Sequence, residues 1–321
     1  MKFAKNCYRL LRKGYALMNY LLSRQGKQGV TVFLYHDIGD NPSEFDQKYG
    51  LNVSLKTFKK QVKWIRSNFN LIHPDDLLSG KSLPDKPAII SFDDGFTGAF
   101  ENAISYLGAE KIPSLMFLNM NCINTGSPIL SAIACYLSEY SPEFEFFAQR
   151  MGIEKPYHLT LNPKHYHLFE KEYGAVDLDK VAQFQGSIAD SKMIRSYNDR
   201  NIVVYGNHLF EHWNSEALTD EEFKMQYQQN AQLLSELNNS INMFAFPNGH
   251  PDTCFTKRHV ESLSRSSADK IFYSSGGTNE NNTAFLLNRI VLSEEDNSNN
   301  KLLFKIIKAG VIMKEMGTKQ F

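Results

Sequence analysis

The 321-residue chain has no run of 18 apolar residues, which excludes a segment spanning a bilayer as a helix. Cysteine is scarce: Cys7, Cys122, Cys135 and Cys254 stand far apart with no C-x-x-C pair, so neither a zinc ribbon nor a disulfide framework is indicated. Glycine-rich phosphate loops and internal repeats are missing too, which removes the simplest nucleotide-binding assignments. Net charge is also absent, because 35 Lys and Arg balance 35 Asp and Glu. No nucleic-acid partner is therefore expected.

That balance is uneven along the chain. Seven basic residues (Lys2, Lys5, Arg9, Arg12, Lys13, Arg24, Lys27) and no acid fall within residues 1–30, leaving 28 basic against 35 acidic groups, net −7, elsewhere. In this arm Tyr8, Leu11, Tyr15, Met18 and Leu22 recur at three- and four-residue steps, an amphipathic helix pattern over residues 1–29. It makes a poor secretory signal, since the apolar run is short, interrupted by Asn19 and followed by no small-residue cleavage site. Two readings stand side by side: peripheral contact with an anionic membrane surface, and a helix packed on the body with its basic face in water. The expected location is cytoplasmic, with association at the inner membrane face.

The whole chain is 42% hydrophobic and 12% aromatic, enough to bury a sizeable core. Seven short β-rich runs follow the arm: 30–36, 88–94, 114–119, 202–208, 242–247, 270–275 and 286–292. Most are continuously apolar, as strands buried on both faces of a parallel sheet are, and helical periodicity lies between them at 55–69 and 221–237. This predicts an α/β fold over residues 30–300, with a C-terminal helix or tail at 301–321. Residues 120–200 break the pattern, with aromatics of no strict period and with Pro142, Pro156 and Pro163 among their prolines. They read as an insertion after the third strand, helical around 129–137 and 178–190.

Polar residues collect where these strands end: His36, then Asp93 and Asp94, then His208, and a Pro247-Asn248-Gly249 turn. In parallel barrels that edge carries active sites. His208 and His212, four residues apart, point to one side on a turn or helical coil, the spacing a single metal ion needs. Two histidines and a carboxylate leave open coordination positions, suiting a hydrolytic zinc-type site. Of the adjacent Asp93 and Asp94, one can ligate metal while the other takes a proton; a helix cap beside Gly95 is the alternative.

These segments resemble the polysaccharide deacetylase family (carbohydrate esterase family 4). Ser91-Phe92-Asp93-Asp94-Gly95 is similar to its T/S-F-D-D-G signature, and His208 to His212 to its H-x-x-x-H motif. Phe244-Ala245-Phe246-Pro247-Asn248-Gly249 is similar to its F-A-Y-P-x-G turn. Tyr35-His36-Asp37-Ile38 resembles the Y-H-x-I element of the branch acting on poly-N-acetylglucosamine and related surface polysaccharides. The resemblance implies a distorted (β/α)7 barrel and metal-dependent removal of N-acetyl groups from a glycan or glycolipid. It makes Asp93 the general base that activates metal-bound water, and Asp94, His208 and His212 the ligands of Zn2+ or another divalent transition metal. The Asn248 backbone N–H would face the oxyanion, and His36 would protonate the leaving amine.

The chain departs from the family in three places. The last strand has no histidine, so His36 is the only matched acid. Ala245 stands where an arginine usually holds the base, and Arg289 on the last strand is the candidate replacement. Trp213 replaces a proline after the second metal histidine, as a sugar-stacking face or as packing, and His250 is a candidate substrate contact beside the Pro-Asn-Gly turn. His158, His165 and His167 read as packing residues of the insertion. Two further functions compete: deformylation or other deacylation of a lipid-linked amino sugar, and a catalytically silent glycan-binding barrel.

Overall fold

A computed structural model of the chain describes residues 29–265, 268–281 and 284–316. The basic arm before residue 29, with its expected helix and membrane contact, lies outside the described residues, as do Cys7 and residues 317–321.

Each of the seven apolar runs forms a strand: β1 (Thr31–Tyr35), β2 (Pro87–Phe92), β3 (Ser114–Leu118), β4 (Val203–Asn207), β5 (Ser240–Ala245), β6 (Lys270–Tyr273) and β7 (Leu286–Val291). All neighbours pair in parallel, and β1 pairs with both β7 and β2, closing a seven-stranded barrel. Side chains alternate between its two faces. Val32, Ile89, Leu115, Phe117, Val204, Met243, Phe272 and Leu287, drawn from all seven strands, form one buried cluster inside. Their neighbours Phe33, Tyr35, Ile90, Phe92 and Tyr205 face outward to the helices. The register slips between β4 and β5, where Tyr205 pairs with Ser240 but Asn207 with Phe244, and this irregularity distorts the barrel just before His208. Gly206 sits in the slip because a Cβ there would lie 2.6 Å from the Phe117 ring and 2.9 Å from the Met243 carbonyl oxygen.

After β1 come α1 (Glu44–Tyr49) and α2 (Leu55–Asn68), capped by Ser43 and Ser54. Phe58, Val62 and Ile65 of α2 cover the outer strand face, with Phe58 edge-on to Tyr35 at 5.0 Å. A π-helical turn at Ala99–Ile104 leads into α3 (Ser105–Ala109) after β2.

The insertion is more regular than its sequence suggests. It holds α4 (Met120–Thr125), α5 (Leu130–Tyr140), α6 (Pro142–Met151), α7 (Tyr157–Thr160), α8 (Pro163–Tyr173), α9 (Leu178–Gln185) and α10 (Ser191–Ser196). Its aromatics make a core of their own: Phe144 meets Tyr157 and Phe169 edge-on at 5.1 Å each, and Phe147 meets Phe169 at 5.4 Å. Helix α9 stops short of the expected residue 190 because Gly186, at φ +89°, turns the chain away.

Helix α11 (Asp220–Leu234) follows β4 and starts with a capping box between Thr219 and Glu222. Helix α12 (Lys257–Arg265) follows β5. Helix α13 (Asn299–Met316) lays Leu302, Ile306 and Ala309 on the same outer layer as Phe33 and Ile290. No helix among the described residues is long and apolar enough to cross a membrane.

Candidate active site

The strand-end residues converge on one cavity of about 290 Å³, lined by His36, Asp93, Asp94, His208, His212, Asn248 and Arg289. β2 delivers the aspartates: the Asp93 N–H still donates to the Tyr35 carbonyl at 3.1 Å, prolonging the strand pairing, before Asp94 turns at φ +70°. Asp94 Oδ1 lies 3.1 Å from His212 Nε2 and 3.5 Å from His208 Nε2. The ligand atoms of these three buried residues all lie within 4.8 Å of one another.

The surroundings of this cluster suit a cation. His208 Nδ1 is 2.8 Å from the Ala245 carbonyl, which only accepts, so Nδ1 carries the hydrogen and Nε2 presents its lone pair. His212 Nδ1 contacts the Ser131 hydroxyl at 2.8 Å, leaving its Nε2 toward the cluster. Burial, the dominant influence, pushes the His208 imidazole down to about 4, so the ring is neutral near pH 7. Asp94 stays below the usual carboxylate range despite burial, because His212 and then His208 face it. Yet no well-directed hydrogen bond reaches the buried Asp94 Oδ1. A carboxylate oxygen and two imidazole Nε2 atoms, one with its lone pair fixed by the Ala245 carbonyl and the other on a ring anchored by the Ser131 hydroxyl, form a donor set that fits a divalent metal.

Asp93 is held differently. The Arg289 guanidinium donates from Nη1 to Oδ1 at 2.7 Å and from Nη2 to Oδ2 at 2.8 Å, a bidentate pair whose arginine is 1% exposed. Arg289 is itself fixed by Ser274 Oγ at 3.2 Å from Nε and by the Phe117 ring beneath its guanidinium at 5.3 Å. The last strand thus brings the charge that the Ala245 position lacks. Asp93 Oδ2 also stands 3.7 Å from His208 Nε2, adjoining the metal-ligand cluster.

His36 and Asn248 complete the rim. The half-buried His36 side chain has no hydrogen-bond partner among the described residues. The Asn248 N–H, at φ +59°, has no acceptor among them either.

Of the two readings of Trp213 the structure takes packing, and the expected contact of His250 is corrected. Trp213 does not reach the cavity: its indole is buried beside Tyr166 in the insertion core, and its N–H donates to Glu211 Oε2 at 3.0 Å. His250 is exposed and off the cavity, carried out by the turn after Gly249. Conversely, His158, Ser131 and Cys135 of the insertion do line the cavity, although the sequence reading gave His158 a packing role. Only their place in an insertion that follows the third strand pointed toward them.

The sequence model of the polysaccharide deacetylase family matches residues 80–266, more than half of the chain and including Asp93, Asp94, His208, His212 and Asn248. The chain belongs to the polysaccharide deacetylase family. Solved structures resemble it in fold: a Streptococcus pyogenes deacetylase, PplD, in complex with acetate (13% identity, TM-score 0.58, 86% of this chain and 97% of that one); IcaB from Ammonifex degensii (16%, 0.54, 87% and 98%); and a de-N-acetylase from Aggregatibacter actinomycetemcomitans (13%, 0.58, 86% and 99%). No curated protein matches the chain in sequence.

Proposed function

We propose that this family member is a metal-dependent hydrolase that removes N-acetyl groups from amino sugars of a surface polysaccharide or its lipid-linked precursor. The observation that carries the reading is the Arg289-clamped Asp93 beside the Asp94–His208–His212 donor set, in one cavity with His36 and the Asn248 N–H. Zn2+ or a similar divalent ion held by Asp94, His208 and His212 supplies Lewis acidity to the amide carbonyl and lowers the pKa of water.

The protein's own groups do the rest. Asp93 accepts the proton of the attacking water; each carboxylate oxygen has two acceptor sites, so the Arg289 fork leaves one per oxygen for this task. Arg289 fixes the carboxylate plane, and Phe117 and Ser274 fix Arg289. The Asn248 N–H donates to the oxygen as negative charge develops, and a donor of that kind contributes ~3 kcal/mol. His36 gives its proton to the departing amine, worth roughly 10²- to 10⁴-fold. Leu34, Phe45, Ile129 and Val291 wall the cavity with apolar surface and limit water around the reacting amide.

The test is amine release from an N-acetylglucosamine pentamer by the full-length, zinc-loaded protein, with Asp93→Asn as control. Expected are activity in the wild type and a loss of about 10³-fold in the variant. A wild type that binds zinc yet releases no amine points to the silent glycan-binding barrel, and an equally fast Asp93→Asn variant overturns the role of Asp93.

A further inference from the structure

Helix α7 is tied down on three sides, and what it holds in place is His158. Tyr157 is buried in the insertion core against Phe144, with its hydroxyl donating to Glu145 Oε2 at 3.0 Å. The Leu159 carbonyl accepts from Asn214 Nδ2 at 2.6 Å; Asn214 is 1% exposed and follows the ligand position His212 by two residues. His158 itself has Cys135 Sγ 3.8 Å from Nδ1 and the Tyr49 ring edge-on at 6.3 Å between centroids. Nε2 has no partner among the described residues, and the side chain lines the cavity. A polar ring atom held this firmly at a cavity wall, with nothing to bind inside the protein, is placed for a ligand.

We infer that His158 is a specificity-determining residue of the proposed reaction, contributing a hydrogen bond from the insertion to a ring hydroxyl of the amino sugar whose acyl group lies at the Asp94–His208–His212 cluster. The assignment rests on the proposed function for its substrate class. Three features support a sugar hydroxyl over a charged group. The cavity of about 290 Å³ lies at the small end of ligand pockets, of the size of one sugar unit with its acyl group. Phe45, Tyr49, Leu51 and Ile129 of its lining offer apolar and aromatic surface and no charge. Burial also holds the His158 imidazole below its ordinary range, so the ring meets its ligand as a neutral donor or acceptor. His158 touches no reacting atom in this scheme, so its effect falls on binding.

The experiment uses the zinc-loaded full-length protein and the N-acetylglucosamine pentamer. His158→Ala and His158→Phe should raise KM about five- to tenfold while kcat changes less than about threefold, the loss of one neutral hydrogen bond. His158→Gln, which keeps a side-chain N–H, should bring KM back to within about threefold of wild type. Unchanged KM in both Ala and Phe variants, or no recovery with Gln, overturns the assignment. Pentamer binding by calorimetry separates this from the activity itself. If the wild type binds without releasing amine, the proposed chemistry fails, and a Kd weakened by His158→Ala still supports the subsite. A wild type that does not bind the pentamer overturns the subsite as well.

Discussion

Replacing Arg289 by Met keeps most of the side chain's bulk and removes only its charge and its fork. The two oxygens of Asp93 then lose donors at 2.7 and 2.8 Å, in a place where arginine is 1% and aspartate 3% exposed. The Met side chain offers no donor in their place. Breaking one half of a buried pair typically costs 3–5 kcal/mol, because the surviving charge is left uncompensated. Nearby Asp94, of like charge, worsens the position in metal-free protein. The loss is large against a total stability of roughly 5–15 kcal/mol. Urea unfolding of metal-free wild type, Arg289→Met, Asp93→Asn and the double variant gives the coupling directly. The double variant should be more stable than Arg289→Met, with a coupling of at least ~2 kcal/mol. Arg289→Lys should fall between, because a point charge cannot hold both oxygens. Amine release should fall about 100-fold in Arg289→Met as Asp93 loses its orientation. A variant within ~1 kcal/mol of wild type, additive in the double variant and fully active, would refute the reasoning.

Other consequences follow from the same geometry. Asp94→Asn, His208→Ala and His212→Ala should each lose stoichiometric zinc by elemental analysis, and zinc at about 100 times Kd should stabilise the wild type by ~2.7 kcal/mol in urea but not these variants. Metal-free stability should fall as pH drops from about 6.5 to 4: the unfolded chain protonates His208 over that window while the folded protein, with His208 pushed down to about 4, does not. The contribution is roughly 3 kcal/mol, and a His208→Asn variant that shows the same acid-side slope would contradict it. Gly206→Ala should destabilise by ~1–3 kcal/mol in thermal or urea unfolding, since its Cβ would stand 2.6 Å from Phe117 and 2.9 Å from the Met243 carbonyl.

The barrel was readable because its strands are buried on both faces. A run such as Ser114–Leu118 needs no alternation, so it stands out as continuous apolar sequence with its start visible to the residue. Site residues at strand ends were readable for a related reason: polar groups closing apolar runs have no packing role to explain them. Arg289 was inferred from a missing charge near Asp93, and the barrel brings the two together across 196 positions. The insertion hid its contribution. Helix α7 has four residues, and α5 is buried without a break from Leu130 to Cys135, so neither shows a one-faced period, while the contact of Ser131 with His212 spans 81 positions. Trp213 packs, the second of its two sequence readings, for a backbone reason. His212 lies at φ +62°, so the next side chain leaves the cavity and enters the insertion core instead of continuing along the rim.

That backbone strain is itself distributed by function. Seven non-glycine residues among those described have positive φ, and Asp94, Leu209, His212 and Asn248 are four of them, all in the loops of this rim. An L-residue in that conformation costs on the order of 1–2 kcal/mol, less for Asn or Asp. Glycine would be cheaper everywhere, but at Asp94 and His212 it would remove a carboxylate or an imidazole from the metal-ligand cluster. At Asn248 the proposed role belongs to the backbone N–H alone, so the side chain is dispensable. Asn248→Gly should therefore keep amine release within about threefold of wild type and leave stability unchanged or raised by up to ~1 kcal/mol. Asp94→Gly relieves a similar strain and should abolish zinc binding. A folded Asn248→Gly variant that loses more than about tenfold in kcat would show that the side chain acts at the reacting centre. It would also remove the ground for assigning the oxyanion contact to the main chain.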